Sequence, residues 1–529
     1  MTPPFVLPFG WSVDKWLLVL CNMLAGTLLI VLSHTTALPL DDINLIFFSF
    51  VGFLFALYRP GWAFLLLIGM LPYEIINLAP ANYPLTLRPY QWLLVLITLA
   101  LLVRTAFRRF PLEKFVPNIW DAALVLLSIG AWLSALASDQ TTVALKLSVI
   151  LLSFVLLYFI TRLFVRSIDD ARMLLPFIFS TFLIIAAYAI VQNVLFQSGQ
   201  ESFEVMAGRP NATFAEADWL GGYLAAVLVV LSALIASPAL IAKNNSTRLL
   251  HYIFSTLLFL GFVALLITVS RSAWLATLCG MLAVLFLYAW KNGVWRALFE
   301  KNRAVLQEIL RIKLSLLAPL FLAFFLVYFS GLSPFDLFDR SRSTATGEQR
   351  ITVACEKEIV LPEKIARAEA LRPYGCEHIR LEEVAARQEA GEYVAEVFRD
   401  DPNVYMRREI YGQVTDILRE HAFFGIGFGN IASLLGTDER GAGLNASNIF
   451  LEVWLGAGII GFLAFLFFWF GLGATWLYRG FQQRSALTIV LAPLWITLTV
   501  FNLFNSGLFL GFFFACMACL LILPSHERI

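Results

Sequence analysis

Fourteen apolar stretches divide the chain, at 16–33, 43–58, 61–79, 89–105, 119–138, 143–164, 173–196, 218–241, 249–269, 272–290, 313–331, 447–475, 486–502 and 506–523. About 20 apolar residues span the hydrocarbon layer as a helix. Inside that layer a backbone must satisfy its own hydrogen bonds, which leaves helices or closed barrels. Runs near that length give helix candidates, so the spacing predicts an all-α, polytopic membrane bundle of about 14 spans. Composition agrees, at 60% hydrophobic, 14% charged and mean hydropathy +0.78. Net charge is +1, so no overall pull on nucleic acid is implied. Pro60-Gly61 separates the second run from the third, and Pro72 is an early stop for the third. The first run, from Trp16, is followed by no small-residue cleavage site and reads as a span.

Lys and Arg in short loops set the orientation expected of such a bundle. They gather at 104–114, 162–172, 291–313 and 479–484. All four loops fall on one side if the spans alternate, which makes that side and both termini cytoplasmic. The opposite side receives 34–42, 80–88, 139–142, 197–217, the turn at Arg271 and the long segment 332–446. The chain then divides into membrane helices 1–248, a helical unit 249–331 bearing Ser270-Arg-Ser-Ala-Trp274, the polar segment 332–446, and C-terminal membrane helices 447–529.

Segment 332–446 holds 34 of the chain's 75 charged residues and is expected to be a mainly helical loop domain. Stretches 356–371 and 377–399, rich in Glu, Ala and Arg, read as helices. In 403–421, Ile410, Tyr411, Val414, Ile417 and Leu418 form an apolar stripe that would lie on the membrane surface or the bundle. Gly425, Gly427 and Gly429 follow, where the backbone would re-enter toward the membrane. Cys355 and Cys376 form a candidate disulfide within this segment if it faces an oxidising compartment. Cys21, Cys279, Cys516 and Cys519 read as packing residues.

No P-loop, HExxH or clustered metal-ligand signature is present, and no metal or cofactor is expected. What stands out is arginine at the non-cytoplasmic membrane boundary: Arg88, Arg209, Arg271, Arg407 and Arg408. Arginine grips phosphate and pyrophosphate in a fork and stays charged when partly buried. Each of these side chains can also be read as snorkelling or solvated. Asp218 and Ser447 read as helix N-caps, and His421 as a cation at a helix C-terminus. Glu452, one turn into an apolar run, is an acid at membrane depth, where function and burial are both open readings.

Three blocks of residues resemble the O-antigen ligase and O-antigen polymerase superfamily of membrane glycosyltransferases. The first is Thr268-Val-Ser-Arg-Ser-Ala-Trp-Leu-Ala276 at a span junction. The second runs from Arg408-Glu-Ile-Tyr411 through Leu418 to Asn430. The third is Asn448-Ile-Phe-Leu-Glu-Val-Trp-Leu-Gly-Ala-Gly-Ile-Ile-Gly461. Arg209 to Phe214 weakly resembles a fourth, upstream block. The set covers about 205–465 in family order. Where ligases carry a His before the Asn of the third block, this chain has Ser447.

The resemblance implies transfer of a glycan from a polyprenyl-pyrophosphate carrier to a glycan or lipid-linked acceptor during O-antigen or exopolysaccharide assembly. It implies a multi-pass protein of the bacterial inner membrane with the large loop periplasmic, working among membrane lipids and polysaccharide-assembly proteins. Arg271, Arg408 and Glu452 are the candidate catalytic residues. Arg209, Arg407, Ser447 and Asn448 are candidates for substrate binding. The missing His tilts the reading toward polymerase. A lipid-linked oligosaccharide flippase and a non-catalytic membrane homologue stand as alternatives.

Overall fold

The computed structural model describes residues 13–83, 86–109, 115–240, 247–294, 303–335, 337–338, 346–366, 368–379, 383–400, 402–436, 445–483 and 485–522. Both chain termini and the loop cations Lys114, Arg296, Lys301 and Arg484 lie outside the described residues.

Every apolar run carries a helix. In order these are α1 (Val13–Ser33), α2 (Asp42–Tyr58), α3 (Pro60–Met70), α4 (Pro89–Ala106), α5 (Ile119–Leu136), α6 (Thr141–Phe164), α7 (Ile168–Gln197), α8 (Ala217–Ala236), α9 (Thr247–Ile267), α10 (Arg271–Lys291) and α11 (Arg303–Ser330). Ten helices of the described chain are long and apolar enough to cross a membrane, so the all-α polytopic reading holds. The third run stops at Met70, where the chain turns into the Pro72 loop well short of the end of the apolar residues. Helix α8 is the most enclosed, with most of its side chains buried, and packs against α9, α10 and the later helix Thr488–Asn502.

The polar segment departs from expectation. Residues 346–400 form a four-stranded sheet in the order β2-β4-β1-β3, from β1 (Glu348–Cys355), β2 (Lys364–Ile365), β3 (Cys376–His378) and β4 (Tyr393–Asp400). The only α-helix described within 356–399 is the short α12 (Val384–Glu389). The helix-like Glu/Ala/Arg composition was overridden by tertiary pairing. Ile351, Thr352 and Val353 pair with Val397, Glu396 and Ala395, and Ile351, Val353 and Val397 bury together with Ile365 and Leu371. Cys355 and Cys376 are register partners on β1 and β3, and their sulphurs are bonded.

Beyond the sheet lie α13 (Pro402–His421), α14 (Ile431–Leu435), α15 (Ile449–Gln483), α16 (Thr488–Asn502) and α17 (Gly511–Cys519). The apolar stripe of α13 rests on the bundle: Ile410, Val414 and Leu418 bury with Ile426, Ile431 and Leu455. The glycine-rich stretch after α13 repairs a break in α15. Gly458 has φ 62°, ψ −172°, which interrupts the α15 hydrogen-bond ladder. The carbonyl of Leu455 instead accepts from the amides of Ile426 (2.7 Å) and Gly427 (3.2 Å), and the amide of Ile459 donates to Phe423 O (3.0 Å). The backbones meet so closely that a Cβ on Gly425 would sit 2.3 Å from Leu455 O. Re-entry is therefore a fixed backbone-to-backbone joint that satisfies buried amides and carbonyls.

A polar site at one end of the bundle

The site begins at the turn between α9 and α10. Only Thr268, Val269 and Ser270 separate the two helices. Val269 holds φ 55°, a left-handed conformation that is rare for a β-branched residue. Such strain costs on the order of 1–3 kcal/mol and persists where the surroundings over-determine it. The turn makes Arg271 the first residue of α10, half-buried at the positive end of the helix.

Two neighbouring elements fasten the turn. The Arg209 side chain donates through Nε to Thr268 O (3.0 Å) and through Nη2 to Asp218 Oδ2 (3.2 Å). Ser270 Oγ donates to the other oxygen of Asp218 (2.6 Å) and lies 3.4 Å from Ser272 Oγ. Asp218 is thus a bridge between two segments, and its expected capping role gives way. The N-cap residue of α8 is Glu216, whose side chain makes no capping bond. Arg407 acts on the same carboxylate through its charge.

Arg407 and Arg408 are separated by the geometry of α13. The side chain of Arg407 turns inward, donating from Nη2 to Phe504 O (3.1 Å) with the guanidinium carbon 5.5 Å from the Phe504 ring centre. Arg408 is exposed. The structure therefore brings Arg209 and Arg407 to one end of the bundle around Asp218, with Arg271 the next residue after Ser270, which bonds the same carboxylate. Arg88 belongs to a separate network, bound to the buried Glu74 at 2.8 Å, with Tyr90 Oη donating to Glu74 Oε2 at 3.0 Å.

The loop Leu503–Leu510, between α16 and α17, falls outside the three motif blocks. Four consecutive residues of it touch four residues on α10, α13 and the start of α15. Leu503 O accepts from Asn448 Nδ2 (3.1 Å), Phe504 O from Arg407 (3.1 Å), and Asn505 Nδ2 donates to Ser272 Oγ (2.6 Å). Ser506 is the polar neighbour of Glu452. The signal available was the polar cluster Asn502, Asn505, Ser506 between two apolar runs. Asn448, and not Ser447, caps α15, accepting the Phe450 amide at 2.9 Å. Ser447 sits one residue earlier at φ 49°, its amide donating to Asn445 Oδ1 (2.8 Å). His421 ends α13, exposed. Glu452 is 8% exposed, and its Oε2 makes no well-formed hydrogen bond among the described residues.

Fold and site together define a multi-pass α-helical membrane protein with a cation-rich polar site at one end of its bundle. Residues 256–466 match the family model described as O-antigen ligase. That match spans less than half of the chain and supports the resemblance to the O-antigen ligase and polymerase superfamily that the three motif blocks carry. No curated protein matches the chain.

Proposed function

We propose that this protein is a glycosyltransferase that moves a glycan from a polyprenyl-pyrophosphate carrier to a sugar acceptor, at the periplasmic face of a bacterial inner membrane. The observation that supports this most is the gathering of Arg209 and Arg407 with Ser270 about Asp218 at one bundle end, with Arg271 lying between Ser270 and Ser272 in the chain. Guanidinium forks suit a pyrophosphate, whose charge grows as the anomeric carbon departs, and arginine stabilises that developing charge. The helix start at Arg271 favours an anion in the same place. In this reading Arg271 and Arg407 face the leaving group, while Asp218 and Thr268 hold Arg209 in position. Arg408, exposed on α13, takes no part in the grip.

The positive-inside distribution supports a periplasmic site, and the Cys355–Cys376 bond suits an oxidising compartment. Ser447 standing at the ligase His position favours a polymerase for O-antigen or exopolysaccharide.

The test is polymer formation in cells whose own copy is deleted. Arg271→Ala is expected to abolish polymer while inserting in the membrane at the wild-type level, and lipid-linked glycan should accumulate. Arg407→Ala should follow it, and Arg408→Ala should not. Wild-type polymer with Arg271→Ala would overturn the assignment.

A further inference from the structure

The superfamily resemblance leaves this chain without an evident proton acceptor, because Ser447 stands where ligases carry His. Any transfer to a hydroxyl releases one proton. A hydroxyl or an amide at Ser447, Asn448 or Asn505 takes it up poorly. His421 is exposed at the far end of α13. Two carboxylates on the elements that form the site, Asp218 and Glu452, have opposite surroundings.

Asp218 is fully engaged. One oxygen accepts from Ser270, the other from Arg209, and Arg407 adds its charge. Such a carboxylate is an anchor for the cations, and taking a proton would release them. Glu452 has the opposite environment. It is 8% exposed, no cation is paired with it among the described residues, and Oε2 makes no well-formed hydrogen bond to them, the Ser506 hydroxyl being its one polar neighbour. An unpartnered buried carboxylate oxygen is costly and calls for an explanation. Its placement supplies one. Glu452 lies one turn after Asn448, and the Glu452 amide donates to Asn448 O (3.0 Å). It meets Ser506, the residue after Asn505 and two after Phe504, which hold Ser272 and Arg407. The unpartnered acceptor is therefore built against the same short loop that grips the arginine side of the site.

We propose that Glu452 is the general base, accepting the proton of the acceptor sugar's hydroxyl. The step rests on the donor reading above. The hydroxyl oxygen forms a bond to the anomeric carbon as that carbon's bond to the pyrophosphate oxygen breaks. The bonding pair leaves with pyrophosphate, toward Arg271 and Arg407, and the hydroxyl proton passes to Glu452 Oε2. Charge then balances: one carboxylate is neutralised and one anionic leaving group is released. The chain thus separates two acids by role, Asp218 to hold cations and Glu452 to receive a proton.

The test uses the full-length protein in proteoliposomes. The donor is undecaprenyl-pyrophosphate-linked glycan extracted from cells lacking this protein, and undecaprenyl pyrophosphate serves as the binding probe. Glu452→Gln preserves shape and is expected to lower kcat about 100-fold or more. The donor KM and undecaprenyl pyrophosphate binding should stay within about twofold, and the acid limb of the pH–rate profile should vanish. Near-wild-type kcat in this variant, or a change confined to KM, would overturn the proposal. If Glu452→Gln lowers the yield of folded protein, Glu452→Asp decides: a displaced acid limb supports the base and an unmoved limb refutes it. Wild-type protein that neither turns over the donor nor binds the probe removes the donor reading itself. Near-wild-type turnover in Glu452→Gln removes only the base.

Discussion

Asn505 donates a 2.6 Å hydrogen bond to the hydroxyl of Ser272, across 233 residues of sequence. The contact ties the α16–α17 loop to the first turn of α10, directly beside Arg271. It makes the C-terminal helices part of the site rather than additional membrane anchors. Asn505→Ala should lower turnover about tenfold or more by loosening the placement of Arg271, since small misplacements at a reacting centre are costly. Thermal stability should change little, because Asn505 is only half-buried. Turnover and melting temperature measured on the same purified variant check this.

The joint between the glycine-rich stretch and α15 should be intolerant of a single methyl group. Gly425 has φ 71°, and a Cβ added there would lie 2.3 Å from Leu455 O. Left-handed backbone alone costs a non-glycine residue about 1–2 kcal/mol, and the clash adds to it. Gly425→Ala is expected to lower the melting temperature in detergent by several degrees. Gly412→Ala, where a Cβ meets nothing within 4 Å, serves as the neutral control.

Arg88 and Arg271 should fail differently. Arg88 neutralises Glu74, a residue 4% exposed that also accepts from the Gly511 amide at 2.9 Å. Removing one member of a buried pair strands the other charge and costs about 3–5 kcal/mol. Arg88→Ala should therefore reduce folded protein in the membrane, and Arg88→Ala with Glu74→Gln should recover much of it. Fluorescence-detected size exclusion on both variants distinguishes a folding role from the activity role proposed for Arg271.

The loop that carries Arg209 should respond to pH through Glu204. This carboxyl accepts from the Gly208 amide (2.9 Å) and from Ser202 (3.2 Å), but burial dominates and pushes its pKa up to about 7. The unfolded value is near 4.5. A group whose folded pKa is raised contributes stability that is complete below the unfolded value and lost as pH rises through the folded one. Amide exchange in 198–209 should therefore quicken, beyond the intrinsic pH effect, between about pH 4.5 and pH 7. Glu204→Gln should remove that excess.

Opening the Cys355–Cys376 bond should unsettle the sheet and leave the bundle intact. The bond joins β1 to β3 over a sequence separation of 21, and closing a loop of that size contributes about 3 kcal/mol. Cys355→Ser with Cys376→Ser should expose 346–400 to limited proteolysis while the helices stay protected.

The amino-acid sequence by itself determined the membrane helices, because apolar length is a local property and each run must hydrogen-bond within itself. It also showed Arg271, since a cation between two apolar runs with no polar loop is visible without neighbours. The motif order likewise lies along the chain. Tertiary structure decided the rest. Which of Arg407 and Arg408 faces Phe504 depends on the rotation of α13, set by the burial of Ile410, Val414 and Leu418. Asp218 became a bridge only because α8 packs beside the 268–270 turn. The sheet in 346–400 arose from pairings some 45 residues apart, such as Ile351 with Val397, which helix-favouring composition conceals. Asn505 and Ser506 entered the site because folding returned the last loop to Arg271, a contact between positions far apart in the chain that no local pattern encodes.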